Sequence, residues 1–279
     1  SGKELCHISR YSNGADGMKV IVICGATATG KSDIAIEVAQ SIGAEIINAD
    51  SMQLYKGMDI GTAKLSNDEQ GGIPHHLLDI LSVREDSTVA WYQDLARKTI
   101  SEIHGRGKHA VIVGGTGLYI KAILDDLNFP DTDPIIRARL ESEALEFGTD
   151  SLFARLQVED PAAALAIDRA NTRRVIRALE VIEITGKPFT ANLPRGESSR
   201  YPMAAQYGLT LNREKLTEII DERVEKMWQA GFVQEVKNLI SKGLRSGKTA
   251  RAAIGYSQIM KFLDGEMSEA QAREDTKRA

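Results

Sequence analysis

The sequence contains very little cysteine and no long apolar run. Cys6 and Cys24 are the two cysteines in 279 residues, and neither belongs to a Cys-x-x-Cys pair or a Cys/His cluster. This pattern argues against a zinc site and a disulfide framework, and it is typical of a cytoplasmic protein. No apolar stretch approaches the roughly 20 residues that a transmembrane helix needs, so we expect no membrane span.

An excess of basic charge is also missing, because the formal net charge is −4. The chain therefore has no global attraction to nucleic acid, and any RNA binding depends on local basic patches. Residues 1–17 lack the apolar core of a signal peptide. We expect them to form a flexible N-terminal extension.

A phosphate-binding loop is the clearest motif in the chain. A β-branched run at 20–24 leads into Gly25-x-x-x-x-Gly30-Lys31-Ser32, and a helical pattern follows at 33–40. In this strand–loop–helix setting, backbone N–H groups and the positive end of the helix cradle a di- or triphosphate. Lys31 adds a mobile positive charge, and the Ser32 hydroxyl is a ligand for Mg²⁺.

The remaining pattern predicts an α/β fold, a P-loop NTPase-like parallel sheet flanked by helices. Strand patterns occur at 20–24, 44–48, 109–113 and 205–211. Helices are predicted at 89–104 (with Thr88 as N-cap), 213–230, 233–242, 250–263 and from 268 onward. Between 131 and 187 the strand pattern disappears, and helices are predicted at 134–147, 150–157, 161–166 and 172–185. We therefore predict a catalytic core at 18–130 and 188–279, with an all-helical insertion domain at 131–187.

Residues that follow the strands are the candidate site, because ligands in such sheets bind beyond the carboxyl ends of the strands. Asp50 follows the second strand, where a carboxylate can orient a nucleophile and accept its proton. Alternatively, Asp50 is the N-cap of a short helix. After the third strand, a run of small residues, 114–117, stands where a simple ATPase has an acidic residue, and it leaves room for a bulky or apolar group. Within it, Thr116 either bonds a ligand or caps the next helix.

Longer motifs resemble the tRNA dimethylallyltransferase family over about residues 19–279. They are Asp50-Ser-x-Gln-x-Tyr-Lys-Gly-Met-Asp-Ile-Gly-Thr-Ala-Lys64, Pro74-His-His-Leu-Leu-Asp79, Gly114-Gly-Thr-Gly-Leu-Tyr119, Arg173-Arg-x-x-Arg-Ala-Leu-Glu180 and Ala253-Ile-Gly-Tyr256. The resemblance implies transfer of a dimethylallyl group from dimethylallyl diphosphate to N6 of the adenine 3′-adjacent to the anticodon, in tRNAs reading UNN codons. It also implies a Mg²⁺ cofactor and a monomer.

By this resemblance, Asp50 is the general base or orienting carboxylate on N6, and Thr116 and Lys31 lie near the reacting groups. The diphosphate is held by Gly25, Ala26, Thr27, Ala28, Thr29, Gly30, Lys31, Ser32 and Arg223. Arg223 also lies at the edge of the apolar face of its predicted helix, within reach of an anionic pocket. The alternative for this arginine is a surface ion pair with Asp221 or a neighbouring glutamate.

The predicted partner on the RNA side is the anticodon stem-loop of tRNA, whose adenine leaves its stack to react. By the resemblance, the residues that contact it are Thr27, Asp50, Ser51, Met52, Gln53, Thr116, Arg137, Arg173, Arg174 and Arg177. Three of these arginines share one side of a predicted helix, a pattern that taken alone is more typical of a solvated charged face. By the resemblance, the helical insertion at 131–187 that carries them binds tRNA. The chain ends before the family's usual basic last helix, so we expect reduced RNA affinity.

Three other functions compete with this interpretation. An adenylate isopentenyltransferase acts on free AMP, ADP or ATP with the same fold, and the 50–55 block together with the basic helix favours tRNA instead. A small-molecule kinase with a helical lid is disfavoured by the small residues at 114–116. A non-enzymatic RNA-binding module leaves the phosphate-binding loop and Asp50 without a role.

Overall fold

The computed structural model describes residues 4–8, 17–125, 127, 129–192 and 199–279. The chain divides into two compact units, residues 1–125 with 200–279, and residues 126–199. The helical insertion predicted at 131–187 lies inside the second unit, which includes further residues before 131 and after 187. Helical periodicity is absent from the flanking segments, so the sequence pattern does not assign them to either unit.

The first unit is built on a six-stranded sheet. Its strands are β1 Glu4–Ile8, β2 Val20–Gly25, β3 Ala44–Asn48, β4 His75–His76, β5 His109–Gly114 and β6 Ala205–Thr210. Their spatial order is β1-β6-β2-β5-β3-β4, in which β1 runs antiparallel to β6 and the other neighbours are parallel. The predicted parallel sheet is confirmed.

The sequence predicts neither β1 nor β4. Residues 4–8 belong to the segment predicted as a flexible extension, yet they pair with 206–210 along the sheet edge, so the prediction is wrong for this stretch. The pairing partner lies at the other end of the chain, and a local pattern does not reveal it. β4 has two residues, too few for a visible alternation.

Helices surround this sheet and build the second unit. In the first unit they are α1 Lys31–Ile42, α2 Val89–Gly105, α3 Gly117–Leu124, α8 Arg213–Gln229, α9 Phe232–Ser241, α10 Tyr256–Leu263 and α11 Glu269–Arg278. In the second they are α4 Pro134–Phe147, α5 Thr149–Glu159, α6 Pro161–Ala166 and α7 Thr172–Thr185. The Thr88 cap is confirmed, since its side chain accepts a hydrogen bond from Trp91 N. Among the described helices, none has the length and apolarity to cross a membrane.

The helix predicted at 250–263 is wrong in its first turn. Residues 250–252 form a short 3₁₀ helix, and α10 begins at Tyr256. Gly255 separates the two with a φ of 84°, a left-handed conformation that ends helical hydrogen bonding. Hydrophobic periodicity alone does not reveal such a break.

Both faces of the sheet are covered by apolar side chains, as expected for parallel strands. Because side chains alternate along a strand, Ile46 packs with Ala39 of α1, whereas Ile47 packs into the larger cluster that contains Tyr92 of α2. The second unit has its own core, formed by residues such as Leu156 and Leu179.

The carboxyl ends of three neighbouring strands meet at one edge of the sheet. Cys24 of β2 lies opposite Gly114 of β5, and Val113 lies opposite Asn48 of β3. A Cβ atom on Gly114 would lie 2.3 Å from the carbonyl oxygen of Ala49, so the ends of β3 and β5 approach backbone to backbone. This edge carries the phosphate-binding loop and the residues that follow β3 and β5.

Candidate active site

The loop between β2 and α1 has the geometry of an anion cradle. Gly30 is the N-cap of α1 with a φ of 77°, and no side chain caps the helix, so its first N–H groups remain available to a ligand. Ala28 adopts a φ of 68°, which is strained for a residue with a Cβ. Gly25 is required sterically, since a Cβ there would lie 2.5 Å from Leu209 O.

Hydrogen bonds within the loop fix the position of the Lys31 ammonium group. Thr29 Oγ1 and Lys31 Nζ donate to Ala26 O at 2.9 and 2.7 Å, while the Thr27 side chain is exposed. Burial lowers the pKa of Lys31, the negative charge of Asp50 raises it, and the positive charge of Arg223 lowers it again. These three charged groups, predicted from distant parts of the sequence, therefore lie within electrostatic reach of one another.

Asp50 lies two residues beyond β3 in a turn. Its Oδ1 accepts a hydrogen bond from Met52 N at 2.9 Å, and its backbone N–H donates to Asn48 Oδ1 at 3.0 Å. The residues that follow form turns, so the alternative of a helix N-cap is wrong. Oδ2 of Asp50 accepts no hydrogen bond from the residues that the structure describes. One carboxylate oxygen thus fixes the orientation of the group, and the other is available to accept a hydrogen bond from a ligand.

Thr116 connects the ends of β5 and β3. It occupies the N-cap position of α3, but its side chain makes no capping bond, so the capping alternative is wrong. Instead, its hydroxyl accepts a hydrogen bond from Ser51 N at 3.2 Å, and its backbone N–H donates to Ala49 O at 3.3 Å. The hydroxyl proton remains available to donate. Contact between Thr116 and a substrate stays a prediction.

Arg223 on α8 is half-buried and has no ion pair within the described part of the chain. The predicted alternative of a surface ion pair with Asp221 or a neighbouring glutamate is therefore wrong. Its Nη2 donates a long hydrogen bond of 3.5 Å to Thr62 O, and Gln53 Nε2 donates to the same carbonyl at 3.1 Å. Burial lowers the pKa of Arg223, and the charge of Asp50 raises it. A half-buried cation without a counter-ion indicates an anionic ligand.

Ser32 fits the Mg²⁺ that the motif implies. Its hydroxyl is half-buried at the start of α1 and makes no hydrogen bond to another described residue. No group of three or more His, Cys, Asp or Glu side chains able to hold a metal occurs in the described ranges. Mg²⁺ is commonly bound by few protein ligands together with substrate phosphates and water, which suits a lone hydroxyl.

A cavity of about 490 Å³ opens beside the phosphate-binding loop. Its wall is mainly apolar, and it combines small and aliphatic residues with three polar ones. The small and aliphatic residues include Cys24, Gly25, Ala26, Gly115, Ile120 and Leu124, and the polar ones are Lys121, Asp125 and Gln206. Burial raises the pKa of the Cys24 thiol, which therefore stays neutral and acts as part of the apolar wall. The cavity provides space for an uncharged group attached to a bound diphosphate.

The predicted RNA-binding arginines divide into two kinds. Arg137 and Arg177 both pair with Glu180, which is fully buried, and Arg177 also donates to Pro130 O at 2.7 Å. Arg173 and Arg174 are exposed, and their guanidinium groups contact no acidic side chain in the described segments. The structure gives the first pair a role in the fold, and contact of all four with tRNA stays a prediction.

Sequence reasoning missed two residues that shape this site. Asn48, which is almost fully buried, donates through Nδ2 to Asp50 O and Leu77 O, both at 3.0 Å, and so holds the turn. Thr62 acts through its backbone carbonyl. The role of Thr62 leaves no signal in the sequence, because any residue type supplies a backbone carbonyl. Asn48 is detectable, because it is a polar residue at the end of a buried strand, two positions before Asp50.

Comparisons with known proteins agree on one family. The family model described as IPP transferase matches residues 53–279. A tRNA dimethylallyltransferase of Thermobifida fusca is 55% identical over 265 residues, covering 93% of this chain and 82% of the relative. The solved full-length tRNA isopentenylpyrophosphate transferase of Bacillus halodurans is 40% identical with a TM-score of 0.65, covering 93% of this chain and 82% of that one. A eukaryotic dimethylallyltransferase acting on tRNA is 28% identical with a TM-score of 0.78, covering 94% and 69%.

Proposed function

Since this chain belongs to the tRNA dimethylallyltransferase family, we propose that it prenylates N6 of the adenine 3′-adjacent to the anticodon in tRNAs reading UNN codons. The chain is a prenyltransferase that modifies tRNA. The donor is dimethylallyl diphosphate, and diphosphate is the leaving group.

One observation carries the assignment of residues. The Asp50 carboxylate has a free oxygen, and its charge acts on both Lys31 and Arg223, the two cations of the proposed diphosphate site. A base and a leaving-group site in such proximity suit a transfer between two substrates that meet there.

The chemistry requires a base because the exocyclic amine of adenine is a weak nucleophile. The N6 lone pair attacks C1 of the dimethylallyl group, and the C1–O bond breaks with its electrons going to the diphosphate. The N6 proton passes to Asp50 Oδ2. The bond from Met52 N to Oδ1 keeps this oxygen directed at the amine.

Charge that develops on the leaving diphosphate is stabilised by groups already in place. Lys31, Arg223 and the uncapped N–H groups at the start of α1 supply this stabilisation. Mg²⁺, held at Ser32, would neutralise further negative charge on the diphosphate when bound. The apolar cavity beside the loop would hold the dimethylallyl group away from water.

On the RNA side, Gln53 reads the flipped adenine or its neighbour, and the exposed Arg173 and Arg174 contact phosphates. The proposal includes a cytoplasmic monomer, in keeping with a tRNA substrate.

The test is nucleoside mass spectrometry after incubation of purified protein with dimethylallyl diphosphate, Mg²⁺ and an anticodon stem-loop. We expect dimethylallyladenosine from the stem-loop and none from a matched stem-loop with guanine at the target position. Transfer to free AMP with none to RNA would instead indicate an adenylate isopentenyltransferase. Consumption of ATP without prenyl transfer would indicate a kinase.

A further inference from the structure

A single carboxylate on α9 holds the loop of residues 59–61. Oε2 of Glu235 accepts hydrogen bonds from Asp59 N at 3.1 Å and Ile60 N at 2.8 Å. Its Oε1 accepts from Gly61 N at 3.3 Å and from the Tyr256 hydroxyl at 2.6 Å. An ionised carboxylate accepts several such bonds and donates none, so Glu235 matches these four donors.

The same loop rests directly on two aromatic rings. A Cβ atom on Gly61 would lie 2.3 Å from the ring of Phe232 and 2.5 Å from the ring of Tyr256. Both rings are fully buried and pack edge to face at 4.9 Å. The loop backbone therefore packs directly against two buried rings, and the hydrogen bonds to Glu235 hold it in this position.

A buried lysine fastens the other end of the loop. Lys64 Nζ donates to Tyr55 O at 2.8 Å and pairs with Asp59 at 2.9 Å and Asp79 at 2.6 Å. Its side chain is only 4% exposed. Residue 62 thus lies between residues 59–61, which are held by Glu235, and Lys64, which is held by its own hydrogen bond and ion pairs.

The carbonyl of Thr62 is what this fixed loop presents to the site. It accepts hydrogen bonds from Gln53 Nε2 and Arg223 Nη2. Under the proposed function these two side chains serve different substrates, Arg223 the diphosphate and Gln53 the tRNA base. One backbone oxygen therefore contacts both halves of the reaction.

We propose that Glu235 is a positioning residue that aligns Arg223 and Gln53 through the carbonyl of Thr62. The identity of the two substrates rests on the proposed function, whereas the mechanical link does not. Burial and the charge of Glu235 raise the pKa of Tyr256 well above its usual range, so its hydroxyl remains a donor to Glu235 throughout the working pH range.

The test compares Glu235→Gln and Tyr256→Phe with Glu218→Gln as a matched control. Glu218 is exposed on α8, the helix of Arg223, and contacts no described partner. The measurements are pyrophosphate affinity by calorimetry, the separate KM values for dimethylallyl diphosphate and stem-loop, and Tm. We expect Glu235→Gln to weaken pyrophosphate binding and raise both KM values about tenfold, since small displacements of binding groups have effects of this order or larger. The control leaves all of these values unchanged.

Double mutants separate positioning from general stability. In an Arg223→Ala background, Glu235→Gln should no longer affect pyrophosphate binding but should still raise the KM for stem-loop. In a Gln53→Ala background, Glu235→Gln should still weaken pyrophosphate binding but should no longer raise the KM for stem-loop. Should Glu235→Gln fail to fold, Tyr256→Phe takes its place in both cycles, with an expected factor of about three.

Two results overturn the inference. One is a lowered Tm with unchanged pyrophosphate affinity and KM values, which makes the contact purely structural. The other is full additivity in both backgrounds. Pyrophosphate binding is measured without prenyl transfer, so this test does not depend on the proposed reaction. An absence of prenyl transfer in the unmodified protein removes the proposed function, whereas a pyrophosphate effect that depends on Arg223 still supports the positioning role.

Discussion

The helical unit and the candidate active site use charged side chains in opposite ways. In the helical unit, five arginines are paired with acidic residues: Arg137 and Arg177 with Glu180, Arg139 and Arg155 with Glu183, and Arg169 with Asp150. In the candidate active site, no ion pair joins Lys31, Asp50 or Arg223 to any residue that the structure describes. Burying unpaired charge destabilises a fold, so such groups persist where a ligand compensates them. Pairing therefore separates charges that support the fold from charges that await a ligand.

The largest expected effect comes from removing the unpaired carboxylate. Asp50→Ala should lower the rate of prenyl transfer by about 10²- to 10⁴-fold, the usual contribution of a general base. Single-turnover measurement of stem-loop prenylation checks the rate, and calorimetry should show that pyrophosphate binding survives. An active Asp50→Ala variant would remove the proposed base and with it the distinction between the two kinds of charge.

The paired counterpart is Glu180, whose loss should affect stability rather than chemistry. Glu180→Gln leaves Arg137 and Arg177 without their shared partner, at a cost of about 3 kcal/mol in the free energy of unfolding. Urea denaturation followed by circular dichroism measures this change. The exposed Glu146 on α4 provides the control, Glu146→Gln, for which we expect no change. A stable Glu180→Gln protein would contradict a structural role for this cluster.

Acid should produce the same loss in the unmodified protein. Burial raises the pKa of Glu180, but hydrogen bonds from Arg137 and Arg177 outweigh it and hold the pKa below its ordinary value of 4.5. A lowered pKa in the folded state stabilises the protein above 4.5, and this contribution disappears as the pH falls through the folded-state value. Urea midpoints measured below pH 4.5 should therefore decline more steeply for the unmodified protein than for Glu180→Gln.

Arg223 lies between these extremes, because it is half-buried but unpaired. Arg223→Ala should weaken pyrophosphate binding about tenfold or more, the effect of losing a hydrogen bond to a charged group. Tm should stay constant or rise, since an uncompensated buried charge is removed. A clear fall in Tm would place Arg223 with the structural arginines.

The smallest effect is expected for the exposed arginines of α7. Arg173→Ala combined with Arg174→Ala should weaken stem-loop binding severalfold and reduce the slope of log affinity against log salt by about 1.5. Arg137→Ala is unsuitable for this test because it also disturbs Glu180. Fluorescence anisotropy at several salt concentrations provides the measurement, and an unchanged slope would show that this face is merely solvated.

The sequence predicts the parts of the site that depend on local pattern. Runs of a few residues predict the phosphate-binding loop, the strand before it, the helix after it and the position of Asp50 after β3. The fold class follows from the alternation of strands and helices. Residues 4–8 escape prediction because their partner strand is distant in the chain, and Gly255 because a single glycine interrupts an otherwise helical pattern.

The roles of individual charges are less accessible, because they depend on three-dimensional neighbours. The spacing of Arg173, Arg174 and Arg177 groups them on one helix face. In the structure, however, Arg177 pairs with the buried Glu180, whereas Arg173 and Arg174 are exposed. Glu235 carries no motif at all. Its importance arises from four donors supplied by two separate segments, which a reading along the chain does not bring together.

The run of small residues after β5 combines two kinds of glycine. Gly114 lies against the backbone of Ala49, whereas a methyl group on Gly117 would meet nothing within 4 Å, and one on Gly115 only Gly25 O at 3.4 Å. A side chain at position 115 or 117 would therefore reshape the mouth of the cavity, whereas one at position 114 would push the ends of β3 and β5 apart. The size of the group that the cavity accepts can thus be altered at positions 115 and 117, whereas a change at position 114 would displace Ala49 and with it the neighbouring Asp50.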